Sequence, residues 1–89
     1  MSELNAWRTQ IDEIDEQLLT LLHQRFKIAQ EIARYKQHHQ LPILNQGREM
    51  EVLQHVNLAT TDASEQEHLS SIYQKIMAET RQSETDKGE

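Results

Sequence analysis

The chain has no cysteine, which excludes disulfides and thiolate metal sites. It has Pro 1 and Gly 2 in 89 residues, so little in it forces a turn or breaks a helix. Aromatic residues make up only 4%, which leaves aliphatic side chains to build the core. Basic residues are outnumbered: Lys plus Arg total 9 against 15 Asp plus Glu, for a net charge of −6. A nucleic-acid binder usually carries a basic face, so that partner class is disfavoured. No apolar run approaches membrane length, and no basic start with an apolar stretch marks a secretory leader. The cytoplasm is the expected location, with no membrane partner.

What the chain does have is a long apolar stripe. Leu4, Trp7, Ile11, Ile14, Leu18 and Leu21 recur in alternating steps of three and four, and Ile28, Ile32 and Tyr35 continue them. This heptad spacing predicts a long helix packed along most of its length against other helices. The stretch contains no Pro and no Gly. Such a helix is about 50 Å long at about 1.5 Å per residue. A compact domain of this size has a radius of gyration of only about 12 Å. The rod therefore outruns any core one chain can build, and the expected cover is a second copy of the same chain. The position between Leu21 and Ile28 is Arg25. An arginine in a core stripe needs anionic partners, because a buried unpaired charge is costly.

In order along the chain, Ser2 is the expected N-cap and the first helix runs to about His38. Asp12, Glu13, Asp15 and Glu16 crowd its first half, and Lys27, Arg34 and Lys36 lie toward its end. That order complements the helix dipole. Pro42 disfavours helix at Leu41, and Asn45 is an N-cap for a second helix from about Gln46 to Leu58. Thr60-Thr61-Asp62 reads as a turn, and Ser64 to Glu67 has the form of a capping box. A third helix carries Leu69, Ile72, Tyr73, Ile76 and Met77, and the same face continues through Thr80 and Glu84. Residues 1–84 form the expected domain, and 85–89 are expected to fray. The fold class is all-α, three helices per chain with one very long, in an intertwined homodimeric bundle.

Cations gather along this plan. Arg25 and Lys36 are eleven residues apart, which places them within about 20° of one face and about 16 Å apart along the axis. They can converge on an anion between them, or Arg25 can simply pair with a Glu across a helical seam. Arg8 is about 25 Å from Arg25 on the same rod and can reach such a ligand only from a partner chain. Arg48 opens the second helix, where free backbone N–H groups also favour anions. Such a pocket suits a small multivalent anion, such as a dicarboxylate. His38-His39 and the pair Glu51 and His55 lack a third ligand nearby and read as exposed, so no metal site is expected.

The residues just described resemble the all-helical class of chorismate mutase. The resemblance runs from Trp7-Arg8 through Ile11 to Leu22, Arg25, Ala29 to Lys36, Pro42-Ile43 and Arg48-Glu49 to the third helix. It implies an intertwined homodimer that rearranges chorismate to prephenate, on the way to phenylalanine and tyrosine, with no cofactor. By resemblance, Arg25 and the partner's Arg8 hold the two substrate carboxylates, as bidentate guanidinium groups suit. Lys36 reaches a carboxylate and the ether oxygen, Arg48 supports the polar network, and Glu49 accepts from the substrate hydroxyl. Asn45 stands where the family often has Asp, and either helps with that hydroxyl or merely caps its helix. Ile32, Val52 and Met77 line the apolar walls, and Thr80 and Glu84 close the site from the third helix. Lys36, Glu84 and Arg25 are the expected catalytic residues.

Two positions depart from the family pattern. Many bacterial members have Gln where this chain has Glu84, and the Gln amide donates to the ether oxygen. A carboxylate donates only when protonated, so activity is expected to improve toward acidic pH. At Arg81 the family usually has an apolar residue, so Arg81 either points to solvent or marks a register off by one. The competing activities are pyruvate elimination from isochorismate on the same fold, which Glu49 argues against, and a non-catalytic helical dimerisation module. The latter leaves the spacing of Arg8, Arg25, Lys36 and Arg48 unexplained.

Overall fold

The computed structural model describes residues 2–87. Helix α1 spans Glu3–His38, α2 Gln46–Asn57 and α3 Ala63–Lys87, and there is no strand among the described residues. The helices start and stop for local reasons. The Ser2 side chain accepts from the Asn5 amide at 3.2 Å and caps α1. At the far end, Leu41 N–H donates to the Lys36 carbonyl at 2.7 Å and Gln40 N–H to the Gln37 carbonyl at 3.2 Å. With Gln40 left-handed at φ 57°, this is a Schellman termination. The Lys36 side chain then donates to the Ile43 carbonyl at 2.7 Å, so one residue holds both the helix end and the loop folded back over it.

Asn45 caps α2, its side chain accepting from the Arg48 amide at 3.0 Å. The cap of α3 lies two residues before the expected capping box. Asp62 Oδ1 accepts from the Glu65 amide at 3.1 Å, and its carbonyl takes the Gln66 amide at 2.9 Å. Thr60 Oγ1 in turn accepts from the Asp62 amide at 3.2 Å. Gln66 is held by the end of α2, its side-chain amide donating to the Asn57 carbonyl at 2.9 Å and the Thr60 carbonyl at 2.7 Å. The α3 helix also runs past Glu84 to Lys87, so part of the expected tail is helical, and Gly88 and Glu89 lie outside the described residues.

The three helices make an elongated body, 56 × 27 × 14 Å, with a radius of gyration of 16.4 Å. Helix α3 is the element on which both α1 and α2 pack. The face that α1 turns to it is not the long stripe but the row beside it: Leu22, Phe26, Ala29 and Ala33 are the covered or partly covered positions. Ala29 and Ala33 are small enough to admit α3 closely, and with Val56 and Met77 they form the buried apolar core. The stripe itself remains open. Every residue from Ser2 to Leu21 is exposed, and Trp7, Ile11 and Leu21 each keep more than half of their surface.

The revised cap can be checked by urea unfolding at neutral pH. Asp62→Ala is expected to cost about 1 kcal/mol, while Ser64→Ala stays within about 0.5 kcal/mol of wild type. Equal losses would place the cap elsewhere.

Candidate functional site

Heptad spacing on α1 puts Arg25, Ile28, Ala29, Ile32 and Lys36 along one side of a cleft. The loop before α2 contributes Ile43 and Asn45, and the first turns of α2 contribute Arg48, Glu49 and Val52. Met77, Thr80, Arg81 and Glu84, one face of α3, form the floor. The cleft encloses about 370 Å³ and is largely apolar between its charged ends. That is the size and character of a small-molecule site.

Its polar groups are individually positioned. Arg25 Nη1 donates to Thr80 Oγ1 at 2.8 Å, and the Thr80 hydroxyl donates to the Ile76 carbonyl at 2.7 Å. The hydroxyl rotor is therefore fixed, and it fixes the guanidinium. Lys36 Nζ is held by the Ile43 carbonyl. Arg81 Nη1 donates to Glu49 Oε2, a charge-assisted bond that reaches from α3 to α2. Arg48 is looser, 3.9 Å from Glu51 with its side chain 69% exposed. Its backbone N–H is occupied by Asn45, so this amide at the start of α2 is not free for an anion.

Glu84 lies at the junction of these groups and is 6% exposed. Its Oε2 is buried with no hydrogen-bond partner. Burial raises its pKa above the ordinary value of 4.5, against the lowering pull of Lys36, Arg25 and Arg81 and with a smaller push from Glu49. The carboxyl is thus poised to keep a proton longer than a surface glutamate does. Protonated, it can donate to a ligand oxygen in the cleft.

Residues 7–85 match the family described as chorismate mutase type II. The chain belongs to that family. It is similar to a bifunctional chorismate mutase/prephenate dehydratase of Aquifex aeolicus (strain VF5), 35% identical over 82 residues, covering 88% of this chain and 23% of that protein. It is also similar to the T-protein of Enterobacter agglomerans, 33% identical over 89 residues, covering 99% of this chain and 24% of that one. The chain thus spans about a quarter of the length of the curated relatives it matches.

Against this chorismate mutase frame, the cleft brings together Arg25, Ile32, Lys36, Asn45, Arg48, Glu49, Val52, Met77, Thr80 and Glu84. Arg8 is apart from them, on the exposed first half of α1. Asn45 serves as a helix cap, with its amide nitrogen still available as a donor. Arg81 is where the expectation changes. It neither points to solvent nor signals a slipped register, because Met77, Thr80 and Glu84 all face the cleft as expected and Arg81 faces it with them. The signal was present in the spacing: 77, 80, 81 and 84 are one i, i+3, i+4, i+7 face.

Glu84 links this geometry to stability. Its folded pKa is raised, so its favourable contribution is complete below 4.5 and is lost as pH rises through the folded value. Denaturant unfolding of wild type and Glu84→Gln across about pH 4 to 8 is expected to show the variant gaining relative stability toward the alkaline end. A constant difference across the series would mean that Glu84 ionises alike in both states.

Proposed function

We propose that this chain catalyses the rearrangement of chorismate to prephenate, in the route to phenylalanine and tyrosine. The observation that carries the reading is one cleft in which Arg25, Lys36 and Arg48 line the walls beside a buried Glu84 whose Oε2 has no hydrogen-bond partner, in a chain of net charge −6. Family membership names the reaction class. The substrate is a dianion with an enol-ether bridge. The reaction breaks the ether C–O bond and forms a C–C bond within one molecule, so the protein's work is conformational and electrostatic. Arg25, fixed by Thr80, takes one carboxylate. Ile32, Val52 and Met77 press the substrate into a compact, chair-like form. Lys36 and protonated Glu84 donate to the ether oxygen, where negative charge develops in the transition state. Glu49 accepts from the substrate hydroxyl.

The working unit in this reading is a homodimer. Leu4, Trp7, Ile11, Ile14 and Leu18 present a continuous half-exposed row with no cover from their own chain. A row that long marks an interaction surface. Arg8 lies beside it, about 25 Å from Arg25 along the same helix. A second long helix laid along the row would carry the partner's Arg8 into the cleft to hold the second carboxylate.

Loss of chorismate's ultraviolet absorbance on adding purified protein tests the activity, with prephenate identified as the product. Wild type is expected to be most active toward acidic pH and to decline as Glu84 ionises, while Glu84→Gln gives a flat profile. Parallel flat profiles would remove Glu84 from the ether oxygen.

Arg8→Ala and Arg25→Ala are each expected to lose about a hundredfold or more in kcat/KM. Mixed after unfolding and refolding together, they should recover about a quarter of wild-type activity, because half of the dimers then carry one intact cleft of two. A mixture as inactive as either parent would count against a shared site.

A further inference from the structure

Arg81 is a charged cleft residue to which the reading above gives no task. Its guanidinium reaches from α3 to Glu49 on α2, and the two side chains are 36% and 26% exposed, neither free in solvent nor sealed from it. A pair in that setting adds little to folding stability. Its position suggests another use. Glu49 is an anion on the wall of a cleft otherwise suited to anions, and without a counter-charge it would repel both Glu84 and a dianionic ligand. Arg48, next to it in sequence, does not supply that counter-charge, since its contact is with Glu51.

We propose that Arg81 is a positioning residue, holding Glu49 on the α2–α3 wall so that the carboxylate's other oxygen accepts from the ligand's hydroxyl. This rests on the reading of the cleft as a chorismate site. The bond to Arg81 uses Glu49 Oε2, and a carboxylate has lone pairs to spare on Oε1. The charge-assisted bond from Arg81 restrains where that carboxylate sits. The wall then recognises a group that gives a hydrogen bond, as an alcohol does and an ether does not.

The test is a double-mutant cycle in steady-state turnover of chorismate by the full chain. The set is wild type, Arg81→Val, Arg81→Lys, Glu49→Gln and the Arg81→Val/Glu49→Gln double variant. The hydroxyl contact exists in both ground and transition states, so its loss raises KM more than it lowers kcat. Arg81→Val is expected to raise KM about tenfold, the size of a lost bond to a charged group. Arg81→Lys should recover part of the loss, and the double variant should be no worse than Glu49→Gln alone, because Arg81 acts through Glu49. Wild-type KM in Arg81→Val, or losses that multiply in the double variant, would overturn the proposal. If Arg81→Val fails to fold by circular dichroism, Arg81→Gln takes its place in the cycle with the same expected outcome. A wild-type protein that does not turn over chorismate would remove the underlying reading as well. An active wild type with an indifferent Arg81 would remove this inference alone.

Discussion

The first helix is longer than the rest of its chain can cover. Helix α3 packs on it only from about Leu22 onward, and the residues before that are open on every side. The buried core is correspondingly thin: two alanines, Ala29 and Ala33, with Val56 and Met77. Small domains bury a low fraction of their surface in any case. The long row from Leu4 to Leu18 is apolar surface whose burial would be worth roughly 25 cal/mol per Å². It is left for a second molecule in the proposed assembly. On that view folding and site completion are one event, since the face that lacks cover also carries Arg8.

The cleft's electrostatics run against those of the whole molecule. A net charge of −6 repels anions at a distance, and Asp12, Glu13, Asp15 and Glu16 all lie on the exposed half of α1. Screening at physiological salt limits such effects to about 8 Å. Inside the cleft, Arg25, Lys36, Arg48 and Arg81 are the nearer charges and act across partly apolar walls. Capture therefore depends on local placement. The structure secures that placement with hydrogen bonds: Thr80 for Arg25, the Ile43 carbonyl for Lys36 and Glu49 for Arg81.

Much of this is legible in the residues alone. Caps at Ser2 and Asn45 and the end of α1 at His38 follow from local chemistry, and local chemistry is what a sequence displays most directly. The third cap was harder because Asp62 and Ser64 are both good capping residues two positions apart. Only the Gln66 ties to the end of α2 show why the earlier one is used. The face of α1 that meets α3 was hidden for a related reason. Hydrophobic periodicity points to the strongest row, and here the strongest row is left uncovered while the alanine-bearing row beside it is used. At Arg81 residue type and helical phase point in opposite directions, and phase prevails. A charge is expected to face water, yet the helical angle it shares with Met77 and Glu84 left no choice.

Two carboxylates in a cleft proposed to hold an anion need an explanation, and Glu49 and Glu84 have different ones. Glu49 is paired with the Arg81 guanidinium through Oε2, which leaves Oε1 able to accept a hydrogen bond. Glu84 has no such partner for its Oε2, and burial favours its protonated form, which can donate. In the proposed site the same side-chain chemistry thus serves as an acceptor on the wall and a donor on the floor, set apart by what surrounds each. The two environments are also coupled. Arg81 draws the Glu84 pKa down while Glu49 pushes it up, so the pair bonded to each other acts on the third group with opposing signs. Keeping the pair intact keeps those influences partly cancelled, and leaves the ionisation of Glu84 to burial on one side and to Lys36 and Arg25 on the other.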